Sequence, residues 1–126
     1  MTIGRVQARR WPAAVAARLV VLVHGYGEHI GRYEHVARAL VARGSVVVGP
    51  DHVGHGRSPG ERALVEDFES VVDDLRAVVQ AARDDLPVVM VGHSMGGLIA
   101  IRYTQRHRED LAGSGLCVVR ADDERR

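Results

Sequence analysis

The stretch Val88-Val89-Met90-Val91-Gly92-His93-Ser94-Met95-Gly96-Gly97 decides how the rest of this chain is read. Four apolar residues make a short buried strand, glycines bracket a serine, and a helical pattern follows. Gly92-x-Ser94-x-Gly96 is the spacing of a nucleophile elbow, a tight strand-to-helix turn that forces a serine hydroxyl outward. The glycines meet a steric need, because such a turn presses backbone against its neighbours and a Cβ would clash. The helix that follows aims its first N–H groups at the serine, which suits developing negative charge. The chemistry suggested is acyl transfer through Ser94. The plainer alternative is an ordinary strand, turn and helix carrying a chance serine.

Working outward, Leu19-Val20-Val21-Leu22-Val23 is an unbroken apolar run, the pattern of a strand buried on both faces of a parallel sheet. It ends in the loop His24-Gly25-Tyr26-Gly27-Glu28-His29. Tyr33–Arg43 reads as a helix stopped by Gly44. Val46–Val48 is the next strand, and it leads through Pro50 into the loop Asp51–Gly60. Asp67–Arg83 is the clearest helix: Phe68, Val71, Val72, Leu75, Val78, Val79 and Ala82 form one stripe, with Asp67 as N-cap. After the elbow a helix runs from about Ser94 to His107, with Leu98, Ile99 and Ile101 as its apolar positions. Leu116–Val119 reads as a further strand. Thr2–Arg10 alternates weakly and reads as an edge strand, with Trp11–Ala17 as a connector. This alternation implies an α/β fold, a mostly parallel sheet with helices on both faces and right-handed crossovers. Ligands bind such sheets at the carboxyl ends of the strands. The loops His24–His29, Asp51–Gly60 and Gly92–Gly97 all fall there.

The chain has 126 residues, enough for one small domain. Its formal net charge of +1 gives no field that would favour nucleic acid or a membrane surface. All 17 basic residues are arginine, which reads as a coding bias. The one cysteine, Cys117, cannot form an internal disulfide, and the leaning is toward the cytoplasm. Arg9-Arg10 before Trp11–Val23 could pass for a twin-arginine or secretory signal, but Arg18 interrupts the apolar run and Leu19–Val23 is needed as a core strand. No apolar run approaches the ~18 residues of a membrane span. His52-x-x-His55, near His24 and Asp51, raises a metal site, but the spacing fits no zincin pattern and no cysteine pair assists. No G-x-G-x-x-G follows the first strand, which removes a dinucleotide site.

Three segments together resemble the α/β-hydrolase superfamily, in its monoacylglycerol lipase, serine aminopeptidase S33-like or lysophospholipase-like branch. They are His24-Gly25-Tyr26-Gly27-Glu28-His29 with Arg32-Tyr33, Asp51-His52-Val53-Gly54-His55-Gly56-Arg57-Ser58 with Gly60-Glu61-Arg62, and Gly92-His93-Ser94-Met95-Gly96-Gly97. Arg10-Trp11 is similar to that branch's usual start, and the resemblance covers residues 9 to 119. It implies a serine hydrolase that cleaves carboxylic esters, of monoacylglycerol or lysophospholipid type, through an acyl-serine. Ser94 matches the nucleophile, and the backbone N–H groups of Met95 and Tyr26 match the oxyanion-hole donors. Each such donor is worth ~3–4 kcal/mol, because it stabilises charge only as it develops. His24 and Asp51-His52 are read as residues that order the loops. No cofactor or metal is implied, and the partner is a small lipid or ester substrate.

The family's catalytic acid and histidine come later, in the order Ser…Asp…His. Beyond Ser94 this chain offers only His107 as a histidine, with Glu109, Asp110, Asp122, Asp123 and Glu124 as acids. At ~1.5 Å per helical residue, His107 stands roughly 20 Å from Ser94, far beyond the ~3 Å reach of a base. The expectation is therefore a truncated α/β-hydrolase fold, cap domain and last strands absent, and a catalytically incomplete chain. Residues 1–119 are its N-terminal part and 120–126 a polar tail, the mark of a frameshift or early stop. A non-catalytic binding fragment and other esterase or peptidase specificities are the alternatives. A bare sheet edge is expected to invite self-association.

Overall fold

The computed structural model describes residues 1–112 and 116–119; the tail expected at 120–126 lies outside the described residues. The strands are β1 (Thr2–Ile3), β2 (Val6–Trp11), β3 (Arg18–Val23), β4 (Ser45–Pro50), β5 (Val88–His93) and β6 (Leu116–Val119). The helices are α1 (Glu34–Val41), α2 (Phe68–Ala82) and α3 (Met95–His107). They form one sheet in the order β1-β2-β4-β3-β5-β6. β4, β3, β5 and β6 run parallel, whereas β2 is antiparallel to β4 and β1 to β2. The mostly parallel sheet expected from the alternation is present.

Two apolar layers explain why these segments are strands. Leu19, Val21, Val23, Val46, Val48, Val88 and Met90 point to one face and pack beneath the buried sides of α2 and α3. Val20, Leu22 and Val47 point to the other, where Ala37 of α1, Ile30 and Trp11 cover them. Period-two β-branched side chains thus serve both faces at once. Helices lie on both faces, but unequally. Among the described residues α1 is the one α-helix on its side, and Val89 and Val91 of β5 stay half-buried there.

Several boundaries differ from the sequence reading. Thr2–Arg10 is not one edge strand. Gly4, at φ +59, turns the chain between β1 and β2, and β2 sits inside the sheet between β1 and β4. Trp11 closes β2 instead of opening the connector, because its ring is buried and its Nε1–H donates to Glu34 at 3.1 Å. Arg9-Arg10 are strand residues. The helix expected from Tyr33 begins as a 3-10 turn, Ile30–Tyr33, before α1. In α3, Ile99 is buried but Leu98 and Ile101 are exposed; Gly96, Gly97, Ala100 and Tyr103 make the inner face. The small residues let the helix lie close to the sheet, and that contact, not hydropathy, sets its rotation. α2 is as expected: the Asp67 carboxylate accepts from the N–H groups of Glu69 and Ser70.

Candidate active site

The chain order reverses direction between β3 and β5. From β3 it moves through α1 to β4 on one side, and from β5 through α3 to β6 on the other. A crevice opens at the carboxyl ends where that happens. The loop after β3 and the turn after β5 stand on its two sides, and Val23 pairs with Gly92 immediately before them.

The turn after β5 has an elbow's geometry. Ser94 is exposed and has φ 59, ψ −121, a backbone conformation rarely adopted by residues with side chains. A Cβ on Gly92 would collide with the carbonyl of Gly96, and one on Gly96 would collide with the carbonyl of Val23. Both glycines are therefore close-approach positions. α3 begins at Met95, so its N-terminal N–H groups and their partial positive charge stand directly behind the serine.

The loop after β3 lies against this turn. A Cβ on Gly25 would be 3.1 Å from Ser94 Cβ and 3.0 Å from the His93 carbonyl. Tyr26 is 60% exposed. Among the described residues neither the Tyr26 nor the Met95 N–H forms a hydrogen bond. These are the two N–H groups matched to the oxyanion hole, on chain segments in contact with the serine's own.

The floor beneath is built from histidines. Nε2 of His24 accepts from the His52 N–H at 3.1 Å, and His24 Nδ1 pairs with the Gly25 carbonyl at 2.8 Å. His52 Nε2 pairs with the His24 carbonyl at 2.9 Å. His55 Nε2 accepts from the Gly27 N–H at 3.0 Å, and its Nδ1 pairs with the Val53 carbonyl at 2.9 Å. Accepting nitrogens require neutral rings. Burial, with its neighbours His55 and His29, pushes His24 down to about 4 despite the Gly25 bond and nearby Glu28. Burial, next to His24 and His55, pushes His52 to about 3. Asp51 is buried, and its carboxylate oxygens accept from the N–H groups of Ile30 at 2.8 Å and Arg57 at 2.9 Å. Ser58 Oγ donates to the Asp51 carbonyl at 2.6 Å and accepts from Gln7 N–H at 2.8 Å. His24, Asp51 and His52 are thus loop-ordering residues. Three of the four ring nitrogens of the His52-x-x-His55 pair are bonded to backbone, and among the described residues no cluster of three or more metal-binding side chains occurs.

No imidazole is hydrogen-bonded to Ser94 among the described residues. His93 is next in sequence, but its Nδ1 lies 3.5 Å from Glu28. His107 is at the far end of α3. Beside the turn, a cavity of about 300 Å³ is lined by Leu22, Tyr33, Val36 and Val91, with Glu28 and His93 among its polar groups. Ser94 does not line it. The sequence reading gave Glu28 no role, although it sits in the quoted loop. Its carboxylate accepts from Gly25 N–H at 2.8 Å, while its own N–H donates to the Gly25 carbonyl at 3.2 Å. The Gly25-x-x-Glu28 spacing of such a reciprocal closure was the available signal.

Comparison with known proteins agrees with this geometry. The family model "Serine aminopeptidase, S33" matches residues 14–118. Monoacylglycerol lipase of Mycolicibacterium smegmatis is 48% identical over 92 residues, 71% of this chain and 33% of that protein. Human monoglyceride lipase is 47% identical over 112 residues, 86% of this chain and 37% of that protein. The crystal structure of Paleococcus ferrophilus monoacylglycerol lipase superposes with a TM-score of 0.76 at 32% identity, covering 92% of this chain and 42% of that one. A thermostable carboxyl esterase from Bacillus coagulans gives 0.76 at 32% identity, covering 94% and 42%. The chain therefore spans about a third of the length of the curated relatives it matches. It belongs to the serine aminopeptidase S33 family of α/β-hydrolases.

Proposed function

We propose that this chain carries the nucleophile and oxyanion half of a serine ester hydrolase site, with Ser94 as nucleophile and the N–H groups of Tyr26 and Met95 as oxyanion donors. The observation that carries it is the exposed Ser94 at φ 59, with the Gly25 loop packed on it. Ser94 Oγ attacks the ester carbonyl and its proton passes to a base. The carbonyl oxygen, now negative, sits before the two N–H groups. The alkoxide leaves with the proton, and water releases the acid from the acyl-serine. The base is not among the described residues near Ser94, so turnover needs a histidine supplied from elsewhere. Losing that histidine costs on the order of 10⁶ in a comparable hydrolase.

The substrate class is a small carboxylic ester of monoacylglycerol or lysophospholipid type. Support comes from relatives named monoacylglycerol lipase and phospholipase, and from the apolar cavity beside the turn. Among the described residues no helix is long and apolar enough to cross a membrane. β6 is the last strand of the described sheet and Val89 and Val91 are only half covered, which favours self-association. A sharp monomer peak in size-exclusion chromatography would rule it out.

A fluorophosphonate probe tests the main reading. The expected result is one adduct, mapped by mass spectrometry to Ser94 and absent from Ser94→Ala. Among the described residues no base is hydrogen-bonded to Ser94, which favours a second reading, a non-catalytic domain that holds an acyl chain. A folded chain that binds a fatty acid but never takes the probe would establish that reading and sink the first.

A further inference from the structure

The carboxylate of Glu28 sits where the two halves of the site meet. Its Oε1 accepts from the Gly25 N–H at 2.8 Å and from the Tyr33 hydroxyl at 2.8 Å. The same oxygen lies 3.5 Å from Nδ1 of His93, a buried ring nitrogen with no hydrogen-bond partner among the described residues. Gly25 precedes Tyr26, one proposed oxyanion donor, and His93 precedes Ser94, the proposed nucleophile. One oxygen atom thus reaches the residue before each. A Cβ on Gly25 would lie 3.1 Å from this oxygen and 3.1 Å from Ser94 Cβ, so carboxylate, loop and turn are in mutual contact. Arg32 stands 3.6 Å from the other oxygen. Burial pushes the Glu28 carboxyl up, but the Gly25 and Tyr33 bonds and nearby His93 outweigh it and hold the group below its ordinary value. A charge kept in a half-buried place needs such compensation, and here the compensating groups belong to both sides of the crevice.

We propose that Glu28 is a positioning residue of the oxyanion hole, fixing the Tyr26 N–H relative to Ser94 by bridging Gly25 and His93. This deepens the acyl-transfer reading and rests on it. Glu28 touches no reacting atom; it acts through the backbone it holds. Oxyanion donors work only when placed beforehand at the position the charge will occupy, so a loosened loop loses rate without losing the donors.

The test combines amide exchange and probe labelling on the full 126-residue chain. In Glu28→Ala, Gly25 amide exchange rises, the His93 and Ser94 amide resonances shift, and fluorophosphonate labelling slows about tenfold or more. Glu28→Gln keeps an acceptor oxygen in place and restores Gly25 protection and most of the labelling. Tyr33→Phe removes the other donor to that oxygen and leaves Gly25 amide exchange near the parent value. The proposal is overturned if Glu28→Ala leaves Gly25 exchange unchanged. It is also overturned if the His93 and Ser94 resonances stay in place, or if Tyr33→Phe raises Gly25 exchange as much, since Glu28 would then only brace Tyr33. If Glu28→Ala does not fold, Glu28→Asp takes its place: its shorter side chain draws the oxygen away from Gly25, Gly25 exchange rises, and an unchanged exchange overturns the proposal. A parent chain that never labels sinks the acyl-transfer reading alone. The exchange and resonance shifts still decide whether Glu28 couples loop to turn.

Discussion

Beneath the Tyr26 loop, His24, His52 and His55 are buried, and their ring nitrogens exchange hydrogen bonds with backbone. Beside that loop, Ser94 is exposed, strained at φ 59, and its hydroxyl forms no hydrogen bond among the described residues. These neighbours on one sheet edge show the two fates of a polar side chain in a folded protein. A buried polar group is stable only when satisfied, and once satisfied it is committed to holding structure. A group meant to react stays uncommitted, and the surrounding fold must impose its unfavourable geometry. The contrast assigns roles more surely than residue type does, since histidine is the commoner catalytic residue and here is the scaffold.

The largest expected effect breaks the frame that imposes the strain. In Gly96→Ala the new methyl meets the Val23 carbonyl, a backbone atom in the central strand that cannot move aside. A loss of about 3 kcal/mol or more is expected, read as a lowered or vanished cooperative melt. A variant with the parent's melting temperature would show that the elbow is not rigidly seated on β3.

The second prediction loads the histidine floor. His24 and His52 titrate below their ordinary value of 6.5 in the folded chain, at about 4 and about 3. The unfolded chain therefore binds their protons first as the pH drops. Their contribution to stability is complete above pH 6.5 and is lost as the pH falls through about 4 for His24 and about 3 for His52. For His24 alone this is on the order of 3 kcal/mol. The titratable groups that face them are His55, Glu28, His29 and Asp51. Melting temperature should be level above neutrality and fall steeply below it, while imidazole ¹⁵N shifts show both rings still neutral at pH 5. A charged His24 in the folded chain at that pH would refute the account.

How far the sequence disclosed this architecture depends on the distance over which each feature is decided. Strands β3 and β4 were legible because a parallel strand buried on both faces is apolar at nearly every position, and β5 because Val88–Val91 is an unbroken apolar run, both local signals. The α2 stripe and its Asp67 cap were legible for the same reason. The placement of β2 was not, because a strand's neighbours are chosen by distant pairing, here with Gly49 and Val48. The rotation of α3 was hidden by Leu98 and Ile101, apolar yet outward, since close approach at Gly96 fixes that face. In the site, Ser94 and the loop glycines were legible as a spacing. The bridging by Glu28 was not, because it depends on His93 arriving from another strand end.

Smaller effects sharpen the contrast at the serine itself. Ser94→Gly removes the side chain that makes φ 59 unfavourable. The folded chain gains from relief of backbone strain, and glycine's freer unfolded chain takes part of that back. A net stabilisation of up to ~1 kcal/mol is expected, together with complete loss of fluorophosphonate labelling. Removing an ordinary surface serine would instead be neutral or mildly destabilising. A stability loss in Ser94→Gly would mean that the turn is relaxed and that Ser94 is not held against its preference.

The smallest effect separates backbone from side chain within the Tyr26 loop. Tyr26 is 60% exposed, and its ring stands edge-on to His55, with centroids 5.7 Å apart. Its proposed role belongs entirely to its N–H. Tyr26→Ala deletes the ring and leaves the N–H, so stability should change by less than ~0.5 kcal/mol and the rate of Ser94 labelling should hold. Tyr26→Pro removes the N–H, and labelling should then fall on the order of 10²-fold, as for loss of one oxyanion donor. Urea melts on both variants correct for any change in folded fraction. If Ala and Pro slow labelling equally, the phenol ring is what acts at this position, and the second oxyanion donor must be sought outside the loop.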